Sequence, residues 1–200
     1  VEIPPILNKC FYIKNINKIK HDAINILIIG GSQSSLFFTK HLKSEIINIS
    51  KKYKTNLTQQ LSPGFDINSY KKDYDKNNIE NNLFFFNENY LCNQNNFDIA
   101  ISRSGASSLA ELAHLNIPFI AIPFPHAIDN HQYLNAVELS NKKLAMIHLE
   151  DEENSILCNK VINLLFHEEI SFVYKKSKEE SNQKTSSVNT ICNTILKEIA

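Results

Sequence analysis

The chain has 200 residues, of which 42% are hydrophobic, and this is enough for one folded domain with an ordinary core. Its 21 basic and 21 acidic side chains balance to a formal charge of zero, which excludes a general electrostatic attraction to nucleic acid or to an anionic membrane. No apolar run approaches the roughly 20 residues of a membrane-spanning helix, and the N-terminus lacks a signal-peptide pattern. Any anionic ligand must therefore be held by local groups.

Short apolar runs alternate with longer mixed segments from residue 25 onward, which predicts strands separated by helices. Most of these runs are apolar along nearly their whole length, as in parallel strands covered on both faces. The predicted strands are 25–29, 56–61, 82–86, 97–101, 118–122 and 144–147. The predicted helices are 35–51, a short one within 65–81, 106–115, 130–140 and 155–166. This order predicts an α/β fold, an open parallel sheet with helices on both faces.

The two ends differ from this alternating region. Residues 1–22 are predicted to be a linker or lead-in, and 23–167 to form one domain. Residues 168–200 start with a charged stretch and end in VNTICNTILKEI, whose apolar residues recur at helical spacing. We expect a C-terminal amphipathic helix that docks on another surface.

The four cysteines are far apart in the sequence and form neither a C-x-x-C pair nor a cysteine–histidine cluster with zinc spacing. They are Cys10, Cys92, Cys158 and Cys192. We interpret them as reduced thiols of a cytosolic protein, and we expect no metal and no cofactor.

The first motif that suggests chemistry is ILIIGGSQSS, in which a buried strand leads into Gly30, Gly31, Ser32 and Gln33 before a helix. Glycines at this junction let a ligand approach the backbone, and the N–H groups at a helix start favour an anion. The spacing is neither that of a dinucleotide fingerprint nor that of a P-loop. A tight turn without a ligand explains this motif equally well.

The second motif, FDIAISRSGASSLAEL, predicts a strand, a turn at Gly105 and a helix whose first turn contains Ala106, Ser107 and Ser108. In open α/β sheets, ligands bind at this carboxyl edge of the strands. First-turn amides and hydroxyls suit a phosphate or a sugar, and Glu111, one turn further on, could accept from both hydroxyls of a ribose. The structural alternative is that the serines cap the helix and Glu111 offsets its dipole.

The third motif, IPFPHAIDNHQYLNA, predicts a strand that leads into a loop and a new helix. Gln132, near the helix start, can both donate and accept, as recognition of sugar hydroxyls requires. His126 and His131 are too isolated from other ligands for a metal site, so we interpret them as neutral loop histidines. Together, the three motifs predict a pocket for a ligand with phosphates and hydroxyls, such as a nucleotide sugar.

Scarce residues gather in these loops. They contain three of the four glycines, Gly30, Gly31 and Gly105, where we expect the backbone to meet the ligand. Arg103, the only arginine, lies there too. The sequence leaves two roles open for it: facing a diphosphate, or pairing with Asp98 to brace the strand.

The motifs GGSQ, FNENY, DIAISRSGASSLAEL, PFIAIP and DNHQYLNA resemble, in order and spacing, the C-terminal domain of the MurG family. The resemblance covers about residues 24–166. It implies one Rossmann-like half of a GT-B glycosyltransferase, the half that binds the donor. Members of the family transfer N-acetylglucosamine from UDP-N-acetylglucosamine to undecaprenyl-diphospho-muramoylpentapeptide, forming lipid II for peptidoglycan at the inner face of the cell membrane.

The resemblance also implies roles for individual residues. Ser32 and Gln33 resemble donor-loop residues near the diphosphate and the sugar. Phe86 and Asn87 fall where the family reads uracil through a backbone segment.

Further along the chain, Ala106, Ser107 and Ser108 resemble the helix start that meets the diphosphate and the sugar, and Glu111 resembles the ribose-binding carboxylate. Gln132, with His131 beside it, resembles the residue that recognises sugar hydroxyls. The implied reaction inverts the anomeric carbon without a tightly bound metal, because helix dipoles and amides take the charge of the leaving diphosphate.

Two features depart from the family pattern. Ser34 and Ser35 follow GGSQ where the family usually has Gly-Ala. The N-terminal acceptor domain, with the expected general base, is not among these 200 residues, so we expect donor binding, no catalytic residue and little transfer. We expect that domain in cis or in trans, as the other part of a longer polypeptide or of a split enzyme, and we expect membrane contact only through it.

Two other functions compete with this interpretation. One is a different GT-B glycolipid glycosyltransferase, including the two-subunit enzyme type of the dolichol pathway. The other is a nucleotide-sugar-binding module without transfer activity.

Overall fold

The structure is a computed structural model that describes residues 22–31, 36–86 and 97–166. Within them, six strands form a single sheet in the order β3-β2-β1-β4-β5-β6, and every neighbouring pair is parallel. The strands are β1 (Ile24–Ile29), β2 (Thr55–Gln60), β3 (Glu80–Phe84), β4 (Ile99–Arg103), β5 (Phe119–Ile122) and β6 (Ala145–Ile147). The predicted open parallel sheet is confirmed.

The described part of the chain contains five α-helices, of which four lie between strands and the fifth follows β6. They are α1 (Leu36–Ser50), α2 (Ile67–Lys76), α3 (Ala106–His114), α4 (His131–Asn141) and α5 (Asn154–Phe166). A 3-10 turn (Ile128–Asn130) precedes α4. Each helix lies where the sequence predicts one. None of the described helices has the length and hydrophobicity needed to cross a membrane.

The helices cover both faces of the sheet because side chains alternate along each strand. On β1, Leu27 belongs to the core on one face, whereas Ile26 and Ile28 belong to the core on the other. The first core includes Leu109 and Leu112 of α3 and Ala136 of α4. The second includes residues of α1, α2 and α5: Phe38, Leu42, Ile46, Tyr74, Leu157 and Val161. Burial on both faces explains why β1 and β4 are mostly apolar, apart from Asn25 in β1 and from Ser102 and Arg103 in β4.

Two predicted strands are displaced by two residues. The predicted 82–86 is Glu80–Phe84, and the predicted 97–101 is Ile99–Arg103. The first lies at the edge of the sheet and is only partly buried, so polar residues are tolerated within it. The two phenylalanines that follow it, Phe85 and Phe86, are 41% and 54% exposed.

The chain direction changes between β1 and β4, the two central strands. From β1 the chain continues through α1 to β2 on one side, and from β4 it continues through α3 to β5 on the other. Because α1 and α3 pack on opposite faces, the carboxyl ends of β1 and β4 form a topological switch point, where open α/β sheets have a ligand-binding crevice. The predicted tail at 168–200 and nearly all of the lead-in at 1–22 lie outside the described residues, so those two segments stay predictions.

Candidate functional site

The first two motifs meet at this crevice. Ile29 of β1 is in register with Ser102 of β4, so the two following loops start side by side. Gly31 has φ +76, a left-handed conformation that favours glycine, and a Cβ atom placed on it would lie 3.9 Å from the Ser108 hydroxyl. Gly31, in the glycine loop that follows β1, therefore lies beside the start of α3.

The start of α3 is open. Gly105 is its N-cap, with φ −67 and ψ 136, and it makes no side-chain capping hydrogen bond. Ala106 and Ser107 are exposed, and a Cβ atom on Gly105 would meet no atom within 4 Å. The capping alternative for Ser107 and Ser108 is wrong, because both serines lie inside the first turn. Within the described part of the chain, the first-turn N–H groups of α3 therefore have no capping side chain at the edge of the sheet.

Glu111 lies three residues after Ser108 on α3, on the same side of the helix. Its carboxyl group is partly buried, and this burial raises its pKa because desolvation disfavours the charged form. Among the described residues, no hydrogen bond or charge offsets this burial. A ligand with two adjacent hydroxyl groups would supply the missing donors.

Gln60 is a site residue that sequence reasoning missed. It is 4% exposed at the carboxyl end of β2. Its Oε1 accepts from the Gly30 N–H at 2.9 Å, and its Nε2 donates to the Gly31 carbonyl at 3.0 Å. The available signal was a buried strand that ends in two glutamines, since buried amides require partners.

Arg103 does not pair with Asp98, and that alternative is wrong. The two residues lie at opposite ends of β4, about 16 Å apart along an extended strand. Asp98 instead accepts from the backbone N–H of Asn25 at 2.8 Å and from its side chain at 3.2 Å. Arg103 is 9% exposed and donates to Glu150. Its contact with a diphosphate stays a prediction, and Glu150 competes for the same guanidinium.

The third motif forms a tightly bent loop before α4. Asp129 and Asn130 have φ 50 and φ 57, in the left-handed region that Asp and Asn adopt more readily than most residues. His131 Nδ1 lies 2.7 Å from the Ile128 carbonyl. If this contact is a hydrogen bond, Nδ1 carries the proton, and Nε2 is an acceptor for a ligand hydroxyl.

Two amide side chains tie α4 to the edge of the sheet. Gln132 Oε1 accepts from the Phe124 N–H at 3.0 Å, which leaves Nε2 as the group to offer to a ligand. Asn135 Nδ2 donates to the Ser104 carbonyl at 3.1 Å, which joins α4 to the loop between β4 and α3. The second and third motifs are therefore linked by a direct hydrogen bond.

The remaining predicted site residues are placed only in part. Phe86 lies just beyond β3, two strands away from β1. Ser32, Gln33 and Asn87 lie outside the described residues. Within the described part of the chain, no group of three or more His, Cys, Asp or Glu side chains could hold a metal ion.

Residues 25–191 match the glycosyltransferase family 28 C-terminal domain. The chain belongs to this family. It is 37% identical over 185 residues to a protein of Pelagibacter ubique named UDP-N-acetylglucosamine--N-acetylmuramyl-(pentapeptide) pyrophosphoryl-undecaprenol N-acetylglucosamine transferase, covering 92% of this chain and 52% of that protein. A Rickettsia felis protein of the same name is 35% identical over 170 residues, covering 80% of this chain and 46% of that protein.

Solved structures agree on the fold. Acinetobacter baumannii MurG superposes with a TM-score of 0.73 at 21% identity, covering 90% of this chain and 51% of that one. The kitacinnamycin glycotransferase superposes with a TM-score of 0.72 at 12% identity, covering all of this chain and 49% of that one. This chain spans about half the length of the curated relatives it matches. The family resemblance and the Rossmann-like fold predicted from the motifs are confirmed.

Proposed function

We propose that this chain is the donor-binding half of an inverting glycosyltransferase that moves N-acetylglucosamine from UDP-N-acetylglucosamine onto undecaprenyl-diphospho-muramoylpentapeptide, forming lipid II. The observation that carries the proposal is the approach of Gly31 to Ser108 at the open start of α3, with Glu111 one turn further on. The names of the family 28 relatives support the donor and the acceptor. The relatives' greater length supports an acceptor-binding partner half.

The start of α3 holds the diphosphate in this proposal. First-turn N–H groups and the hydroxyls of Ser107 and Ser108 bind its oxygens, and they take up the charge that grows on the diphosphate as the sugar leaves. Glu111 accepts from the two ribose hydroxyls. Ser32 and Gln33 of the glycine loop lie beside the diphosphate and the sugar.

The uracil and the sugar, at the two ends of the donor, are bound by the segment after β3 and by the start of α4. Phe86 and Asn87 contact uracil through the backbone, and Gln132 and His131 bind the sugar hydroxyls. The general base and the lipid-linked acceptor belong to the partner half, which also provides the contact with the inner face of the cell membrane. No residue of this chain removes a proton in the reaction.

Calorimetric titration of the chain with UDP-N-acetylglucosamine, UDP-glucose and UDP tests the proposal. We expect all three to bind, with preference for the first, and we expect Glu111→Ala to cost about 1–3 kcal/mol of binding free energy. Glu138→Gln is the matched control, because Glu138 forms an exposed ion pair with Lys142 at the far end of α4. A folded chain that binds no uridine nucleotide contradicts the proposal.

A further inference from the structure

Arg103 and Glu150 form an ion pair that spans three strand ends. Arg103 ends β4, and Glu150 lies in the loop after β6, with β5 between them. The two side chains are only 11% and 24% exposed. Arg103 Nη2 donates to Glu150 Oε1 across the end of β5.

The same guanidinium also holds the start of the loop that leaves β5. Arg103 Nη1 donates to the carbonyls of Ile122 at 3.3 Å and Pro123 at 3.2 Å. The next residue, Phe124, has its ring centre 5.5 Å from the guanidinium carbon of Arg103. The ring centre of Phe38, in α1, lies 5.0 Å from the same carbon. Arg103 thereby fixes both the backbone and a side chain at the beginning of this loop.

The backbone at Phe124 in turn orients Gln132. The Phe124 N–H donates to Gln132 Oε1 at 3.0 Å, so the orientation of this amide depends on where the backbone of Phe124 lies. A continuous chain of contacts thus runs from Glu150 through Arg103 and Phe124 to Gln132.

Stability alone is a weak reason for such a pair. Desolvation of two charges offsets much of their attraction, and apolar side chains of similar volume often stabilise a core as well or better. The pair instead orients the groups that Arg103 contacts, because the planar guanidinium makes several hydrogen bonds with a fixed geometry that a lysine cannot reproduce.

We propose that Arg103 and Glu150 are positioning residues for the sugar of the donor, with Glu150 acting only through Arg103. They hold the loop between β5 and α4 so that the Gln132 amide meets the sugar hydroxyls. This inference rests on the proposed function. It replaces the diphosphate role considered for Arg103, because Glu150 and the carbonyls of Ile122 and Pro123 accept from the Arg103 guanidinium. It predicts a defect confined to the sugar, because the uridine diphosphate is held by α3 and the glycine loop.

The test compares the dissociation constants of UDP-N-acetylglucosamine and UDP for the native chain and for Glu150→Ala and Arg103→Lys. We expect UDP-N-acetylglucosamine to bind about tenfold more weakly to each variant, the size of one lost hydrogen bond, and UDP to bind within about twofold of native. Glu138→Gln, which breaks the exposed pair with Lys142, should change neither constant. Circular dichroism confirms that each variant is folded, and Glu150→Gln, which keeps the shape, replaces any variant that is not.

A double variant checks the route of the effect. If Glu150 acts through Gln132, adding Glu150→Ala to Gln132→Ala should cause no further loss of affinity for UDP-N-acetylglucosamine. Additive losses, equal losses for both ligands, or unchanged affinities in folded variants would overturn the inference. A native chain that binds neither ligand would instead contradict the proposed function, so the two failures are distinguishable.

Discussion

The side-chain amide of Gln60 hydrogen-bonds to the backbone of both Gly30 and Gly31. The Gly30 N–H donates to Gln60 Oε1 at 2.9 Å, and the other end of the same amide donates to the next carbonyl, at Gly31, at 3.0 Å. These two bonds fix the glycine loop at the point where Gly31 takes φ +76 and turns against Ser108. Gly30 and Gly31 are therefore held in place before any ligand arrives, which reduces the ordering cost of binding.

Replacing Gln60 should therefore weaken both stability and donor binding. Gln60→Leu removes both bonds and leaves buried backbone groups unsatisfied, so we expect a loss of about 2 kcal/mol in the free energy of unfolding. UDP and UDP-N-acetylglucosamine should lose affinity by the same factor, because in the proposed function the loop contacts the diphosphate that they share. Urea denaturation and calorimetry measure the two effects.

Tyr74→Phe is the matched control for this variant. It removes a buried hydrogen bond from the Tyr74 hydroxyl to Gln59, the residue before Gln60, at 2.7 Å. It should also destabilise the chain by about 1–2 kcal/mol, yet leave donor affinity unchanged. Equal effects of the two substitutions on binding would mean that Gln60 acts only through stability.

The raised pKa of Glu111 predicts acid-sensitive binding. In the proposed function the ribose hydroxyls need the Glu111 carboxylate as an acceptor, so affinity for the donor should fall with acidification, starting above the ordinary glutamate pKa of 4.5. Stability responds in the opposite direction: burial holds the proton more tightly in the folded chain, so Glu111 favours folding as the pH falls. Calorimetry with UDP-N-acetylglucosamine, whose phosphates do not titrate in this range, measures the profile. Glu111→Gln should bind more weakly and lose this dependence, and a profile identical to native would refute the role.

His148 predicts a loss of stability in mild acid. It is fully buried, and this burial lowers its pKa, as does Lys160 nearby, while Glu152, 3.5 Å from Nδ1, acts against them. The unfolded chain therefore binds this proton first, and the stabilisation is complete above about pH 6.5 and lost below it. Urea denaturation between pH 7.5 and pH 5.5, on the order of one pH unit either side of that value, measures the free energy of unfolding. This free energy should decline more steeply with acidification in native protein than in His148→Phe. Parallel declines would exclude this histidine as the cause.

Cys158 should resist alkylation. Its thiol is half-buried and donates to Glu45 Oε2 at 2.9 Å, and burial together with this carboxylate raises its pKa to about 12. At pH 8 the reactive thiolate is then on the order of one molecule in ten thousand. Iodoacetamide labelling, read by peptide mass spectrometry, should be far slower at Cys158 in folded protein than in urea. Glu45→Gln should accelerate it, and equal rates in folded and unfolded chain would contradict the burial.

Local sequence pattern predicted the sheet because the strands are buried on both faces. Continuous apolar runs such as 25–29 and 118–122 have no other simple explanation between helical segments. The pattern misplaced β3 at the edge, where the strand includes polar residues such as Asn82 and the apolar run that follows it is exposed. It also misplaced the central strand β4, which ends in the buried polar residues Ser102 and Arg103. Pairing with β2, from Asn56 to Gln60, decides the limits of β3, and pairing is not visible in one strand alone.

The site was predictable where it depends on neighbours in the chain, and not where it depends on the fold. A helix start after Gly105 and its nearby serines can be recognised from a short motif. The partner of Arg103 cannot be recognised in this way, because Glu150 is 47 residues away and only the order of β4, β5 and β6 brings the two residues together. The contact between Gln60 and Gly30 likewise spans 30 residues. Such contacts require the sheet topology to be known first.

The most direct test of the donor site uses the four glycines of the chain as reporters. In chain labelled with 15N-glycine, titration with UDP-N-acetylglucosamine should shift the amide signals of Gly30, Gly31 and Gly105. Gly64, in the loop after β2, serves as the internal reference and should stay in place. Signals that do not move at saturating ligand, or a shift confined to Gly64, would contradict a nucleotide-sugar site at the crevice between β1 and β4.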